Sequence, residues 1–240
     1  MVGHEISGTL VSIGPNQDPV KSKTLNVGQR VISPFIMPCG GCYHCVRGRE
    51  DICETFFEYN RLKGQLYDGT TRLHRLDNTP VAMYSMAGMA QYCVVPSTAV
   101  FQLPQSINFS DASIIGCAIF TAYGAVRHGA DLRSGETIAV IGAGGVGGNV
   151  LQFARAFGAS RIIAIDVSDD KLSAMSALGA THTINGLKEN VADKIKEYTN
   201  GRGVDVCVEA LGRRDTFIQA VGSVADGGRA VMVGIAPGME

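Results

Sequence analysis

No apolar run in these 240 residues approaches the roughly 18 needed to cross a bilayer, and the first thirty residues lack a basic start followed by an apolar core. A membrane span and a secretory signal are thereby excluded, which leads to the expectation of a soluble, cytoplasmic chain with no membrane partner. A basic block is missing too. The 21 lysines and arginines are scattered against 22 acidic residues for a net charge of −1, so the electrostatic footprint of a nucleic-acid binder is absent and a small-molecule partner is expected instead. Low-complexity tracts and a collagen period are also lacking. The 30 glycines, well above the usual ~7%, therefore point to many tight turns in a globular chain.

The order of elements is uneven along the chain. Up to about Pro104 the pattern is short β-rich runs at residues 6–14, 28–35, 88–95 and 99–104, separated by turn residues. From Ser110 helix and strand alternate: an apolar helix over 111–130, then strands at 137–142, 161–166, 182–184, 204–211 and 229–235, with helices at 148–159, 168–180, 189–200 and 214–224 between them. Such alternation predicts right-handed crossovers and a parallel sheet covered on both faces. The expected class is α/β, with a β-rich domain over 1–117 and a doubly wound domain over 118–240. Five strands are predicted where a complete doubly wound dinucleotide fold has six, so the last strand is expected to be missing.

The sequence TIAVIGAGGVGG places Gly142, Gly144 and Gly147 as G-x-G-x-x-G, directly after a strand and opening a helix. Gly142 suits the tight turn, Gly144 lets backbone approach a pyrophosphate, and Gly147 permits close helix–strand packing, with Gly145 and Val146 between them at the helix N-terminus, where free N–H groups favour anions. The next strand ends in Asp166, 24 residues after Gly142, where an acid accepts hydrogen bonds from the adenosine ribose. A carboxylate there repels a 2′-phosphate, so NAD is expected in preference to NADP. The bland alternative is a glycine-rich turn that merely packs tightly, with Asp166 capping the following helix.

Cys39, Cys42, Cys45 and Cys53 form a C-x2-C-x2-C-x7-C array. Four thiolates within fifteen residues suit a closed tetrahedral structural Zn²⁺ in a loop with almost no apolar residues to fold around. An iron–sulfur run would end C-x3-C-P, and a disulfide pair is disfavoured without secretory features. Cys93 and Cys207 lie in strand-like runs and read as small buried hydrophobes. Taken alone, His4 at a terminus reads as solvated and Cys117 in an apolar helix as core.

Taken together, GHE at 3–5, the cysteine array, IIGCAIFTAYGAV at 114–126, GAGGVGG with Asp166, and EALGRRDT at 209–216 resemble the zinc-dependent medium-chain alcohol dehydrogenases over nearly the whole chain. The resemblance implies a GroES-like catalytic domain followed by a Rossmann domain. It makes His4 and Cys117 ligands of a catalytic zinc, with Glu5 in or just behind the coordination sphere. It puts Thr121 near the nicotinamide, Gly142 to Gly147 on the pyrophosphate, Asp166 and Lys171 at the adenosine ribose, and Leu211, Gly212, Arg213, Val233, Gly234 and Ile235 along the nicotinamide half. The implied reaction moves hydride between an alcohol or an aldehyde (or ketone) and NAD, with zinc as Lewis acid, in a homodimer or homotetramer. The family draws its other thiolate ligand from a Cys-x-Ser/Thr-Asp stretch upstream of GHE, which is not present. The expectation is therefore a chain truncated at both ends with an incomplete catalytic zinc site, and the alternative function is an inactive zinc- and NAD-binding fragment or isoform.

Overall fold

The computed structural model describes residues 2–15 and 25–236. The chain divides into two compact units, Met1–Cys117 and Ala118–Glu240.

In the first unit, β1 (Ile6–Thr9), β2 (Arg30–Ser33) and β3 (Phe101–Gln102) form an antiparallel sheet in that order, with Ile6 opposite Ser33 and Val31 opposite Gln102. Arg30 fastens β2 to the following segment: its guanidinium donates to the carbonyls of Gln105 (3.0 Å) and Ile107 (2.5 Å) and lies 4.5 Å over the Phe109 ring. Helix α1 (Phe109–Ser113) is capped by Asn108, whose side chain accepts from the Asp111 amide. The unit is less β-rich than its composition predicts. Residues 88–95 form no strand, and at their start the Gly88 and Met89 amides donate to the carbonyls of Gly3 and Val2. The same two bonds hold Val2 and Gly3 in place.

The apolar stretch 111–130 is not one helix. It is divided into α1, a 3₁₀ turn over Ile114–Gly116, a non-helical Cys117 (φ −136°, ψ −74°), α2 (Ala118–Gly124) and a π turn over Ala125–Gly129. The cause is local. The Phe35 amide donates to the Gly116 carbonyl, and Gly116 lies so close to β2 that a Cβ there would stand 2.3 Å from the Ser33 carbonyl oxygen. A carbonyl committed to Phe35 is lost to the helix.

The second unit carries the parallel sheet. In chain order its elements are β4 (Thr137–Ile141), α3 (Gly145–Ala156), β5 (Arg161–Asp166), α4 (Asp169–Ala177), β6 (His182–Asn185), α5 (Val191–Tyr198), β7 (Val204–Glu209), α6 (Arg214–Ser223) and β8 (Val224–Met232). The strand order is β6-β5-β4-β7-β8, all parallel, which puts the topological switch point between β4 and β7. Ile138 and Val140 pack on one face with Val150, Leu151, Val206 and Val208, while Ala139 and Ile141 pack on the other with Ile163, Ile195 and Cys207. Burial on both faces explains why these strands are continuous apolar runs and not alternating ones. Helix α3 begins three residues earlier than predicted, at Gly145, and β8 begins five residues earlier, at Val224, directly from the end of α6.

Candidate functional site

The cysteine array is drawn together by a loop of tight turns, with positive φ at Gly40 and Gly48. The four Sγ atoms of Cys39, Cys42, Cys45 and Cys53 all lie within 4.8 Å of one another. Thiolates bound at about 2.3 Å around a tetrahedral zinc stand about 3.8 Å apart, so the donor set fits that ion. Backbone amides point at the sulfurs: Cys39 and Phe56 donate to the Cys53 sulfur at 3.3 and 3.4 Å, and Gly41 and Cys42 to that of Cys39 at 3.4 and 3.3 Å. Such donors favour thiolate over thiol. The Cys45 amide holds Cys42 down to about 6 against the effect of burial. Burial raises the Cys39 thiol, but bonds from Thr55, Gly41 and Cys42 outweigh it and lower the result, while burial pushes Cys45 and Cys53 up.

The other candidate ligands sit around the end of β2. The His4 ring packs edge-on against Phe35 at 5.0 Å, and Cys117 follows Gly116, whose carbonyl accepts from the Phe35 amide. Gly3 must be glycine, since a Cβ would stand 2.2 Å from the Met89 nitrogen at φ +115°. Far from fraying, His4 is therefore fixed between an anchored turn and β1. Glu5 is exposed. Among the described residues the group of metal-binding side chains that draws together is the four cysteines, and His4, Glu5 and Cys117 do not belong to it.

At the carboxyl edge of the parallel sheet the three fingerprint glycines separate by cause. Gly142 turns at φ +102° with Leu211 against it, and a Cβ on Gly147 would stand 1.8 Å from the Gly142 carbonyl oxygen. Gly144 is different: it has an ordinary extended conformation (φ −93°, ψ −162°), and a Cβ there would meet nothing within 4 Å. Gly144 also caps α3 without a side chain, so no side chain occupies the first-turn amides at Gly145 and Val146. This is a cradle open to an anion.

Asp166, 7% exposed, closes the loop from the side. One carboxylate oxygen accepts from the Ala143 amide at 2.8 Å, the other from Val167 (2.8 Å) and Ser168 (3.1 Å), and Lys171 stands 3.8 Å away. Burial raises this carboxyl, but the amides of Ala143, Ser168 and Val167 outweigh it and keep the group below its ordinary range. It is charged and braces the glycine loop. The cap of α4 is Ser168, not Asp166.

Beyond the switch point, residues 211–213 and 233–235 meet. A Cβ on Gly234 would lie 2.0 Å from the Gly212 nitrogen, and one on Gly212 2.3 Å from the Ile235 carbonyl oxygen. Between them is Glu209, fully buried and not singled out by its position in the sequence. Its carboxylate accepts from the amides of Leu211 (3.0 Å) and Gly212 (2.9 Å) and from the Thr216 hydroxyl (2.6 Å). Thr121 lies half-buried on α2.

Comparison with known proteins matches this arrangement. Residues 1–105 match the family model described as the alcohol dehydrogenase GroES-like domain, and residues 145–240 the one described as zinc-binding dehydrogenase. The chain is 33% identical over 245 residues to the S-(hydroxymethyl)glutathione dehydrogenase of Paracoccus denitrificans, covering 99% of this chain and 64% of that enzyme. Its fold aligns with an alcohol dehydrogenase zinc-binding domain protein from Burkholderia ambifaria at a TM-score of 0.89 and 31% identity, covering 100% of this chain and 63% of that one. For the benzyl alcohol dehydrogenase of Acinetobacter calcoaceticus the values are 0.87 and 29%, covering 99% and 62%. The chain thus spans a little under two thirds of the length of these relatives. With a GroES-like unit, a five-stranded parallel sheet and both family models in order, the chain belongs to the zinc-type, medium-chain alcohol dehydrogenase family.

Proposed function

We propose that the chain is a zinc- and NAD-linked dehydrogenase acting on a small alcohol or its aldehyde or ketone. The observation that carries this reading is Gly144: the protein's own packing does not require glycine there, so the open space faces what binds the loop. When bound, zinc polarises a substrate oxygen and the nicotinamide accepts or returns the hydride. The chain's residues supply position. The amides of Gly144 to Gly147 receive the pyrophosphate at the N-terminus of α3. Asp166, with Lys171 beside it, receives the adenosine ribose, and its fixed charge disfavours a 2′-phosphate. The turns at Leu211–Arg213 and Val233–Ile235, with Thr121, face the nicotinamide half. On this reading the four cysteines would hold a structural zinc, and His4 and Cys117 would supply ligands to the catalytic one, with Glu5 in or just behind its coordination sphere.

A second reading, a chain that binds zinc and dinucleotide without turnover, is favoured by the gathering of metal-binding atoms at the four cysteines alone among the described residues. Benzyl alcohol and S-(hydroxymethyl)glutathione are the first substrates to try, because relatives carry them in their names. The test is NADH formation by the zinc-replete chain, run beside His4→Ala and Cys117→Ala. Turnover lost in both variants with NAD binding retained supports the first reading. NAD binding without turnover in the wild type overturns it in favour of the second.

A further inference from the structure

The buried carboxylate of Glu209 has only neutral donors around it: two amides, Leu211 and Gly212, and one hydroxyl, Thr216. A buried carboxyl group is expensive to keep for packing alone, since an apolar residue would fill the same space without desolvating a polar one. Its neighbours give it a task. The Glu209 carbonyl accepts from Val233 (2.9 Å) and Gly234 (3.1 Å), so one residue holds both turns through separate atoms. On its other side the Ala210 amide donates to Ile141, the last residue before the glycine loop, and Leu211 packs on Gly142. Two turns at the sheet's carboxyl edge therefore take their spacing from one residue, and its neighbours Ala210 and Leu211 tie them to the glycine loop.

We infer that Glu209 is a positioning residue: bound to Leu211, Gly212, Thr216, Val233 and Gly234, it fixes the two turns that receive the nicotinamide half of the dinucleotide and does not itself touch the cofactor. This rests on the dinucleotide reading above. Glutamine can keep one oxygen in place, but its NH₂ would then face the Gly212 amide, 3.1 Å from the second oxygen, donor against donor.

The experiment compares NAD with ADP-ribose, which lacks the nicotinamide, by calorimetric titration of the full chain. Glu209→Ala is expected to weaken NAD at least tenfold and ADP-ribose less than twofold, with Glu209→Gln between the wild type and alanine. Thr216→Val, which removes one hydroxyl from a half-buried helix position, keeps the test alive if Glu209→Ala fails to fold. It should weaken NAD severalfold and speed hydrogen exchange at the Leu211 and Gly212 amides in the ligand-free chain, while Thr216→Ser restores both. Equal loss of NAD and ADP-ribose, or unchanged NAD affinity in Glu209→Gln and Thr216→Val alike, overturns the inference. A wild type that binds neither ligand overturns the dinucleotide reading itself, and the inference with it.

Discussion

A methyl group at Gly147 would stand 1.8 Å from the Gly142 carbonyl oxygen, whereas one at Gly144 would meet nothing within 4 Å, so the same substitution should do different things three residues apart. Gly147→Ala forces α3 away from β4 and is expected to cost about 2–4 kcal/mol, seen as a lower melting temperature. Gly144→Ala should leave the melting temperature within about a degree and weaken NAD at least tenfold. Equal melting temperatures for the two variants would contradict the assignment. The glycine turn and the acid that braces it were legible in the sequence because a tight strand-to-helix turn leaves glycines at fixed offsets and Asp166 closes the next strand. Glu209 was not. A lone acid at a strand end has no periodicity to announce it, and only the fold shows that three donors and two turns converge there.

At the scale of elements, the sequence identified strands β4 to β7 closely, because strands buried on both faces are unbroken β-branched runs. The errors fall where tertiary contacts override local pattern. Residues 88–95 have strand composition but form no ladder, the Gly88 and Met89 amides going to Gly3 and Val2, and the helix expected through Cys117 breaks because Phe35 takes the Gly116 carbonyl. The early start of α3 was hidden by glycine's poor helix propensity, which packing overcomes. Edge strand β8 is tied to the turn after α2 by a two-pronged Arg229–Glu136 pair at 2.8 and 2.6 Å. The Arg229 guanidinium bond, opposed by burial, holds Glu136 below its ordinary range. A carboxyl lowered in the folded state stabilises above its unfolded value and loses that stability as pH falls through the native one. Stability should therefore drop below about pH 4.5 by up to roughly 1 kcal/mol more in the wild type than in Glu136→Gln, as measured by urea denaturation across pH. In the cysteine lobe, Cys42→Ser should lower zinc content and increase exchange over residues 38–55 while leaving NAD affinity intact. Full zinc retention by that variant is the outcome that would discard a four-thiolate site.

The whole molecule has two units with separate cores, one around Phe56, Met37 and Met86 beside the cysteines, the other on both faces of the parallel sheet. Ligands that bind different units should shift different transitions. A chelator is expected to lower only the first unit's melting transition, and NAD to raise only the second's. One transition that moves as a whole with either treatment would contradict this division. At the carboxyl edge of the parallel sheet the open Gly144, the uncapped N-terminus of α3 and the charged, buried Asp166 meet. The decisive measurement is a calorimetric titration of the wild-type chain with NAD and with NADP. A buried carboxylate facing a 2′-phosphate is worth about 1–3 kcal/mol, so NAD should bind one per chain and roughly ten- to a hundredfold more tightly than NADP. Equal affinities, or no binding of either at millimolar concentration, would contradict the account.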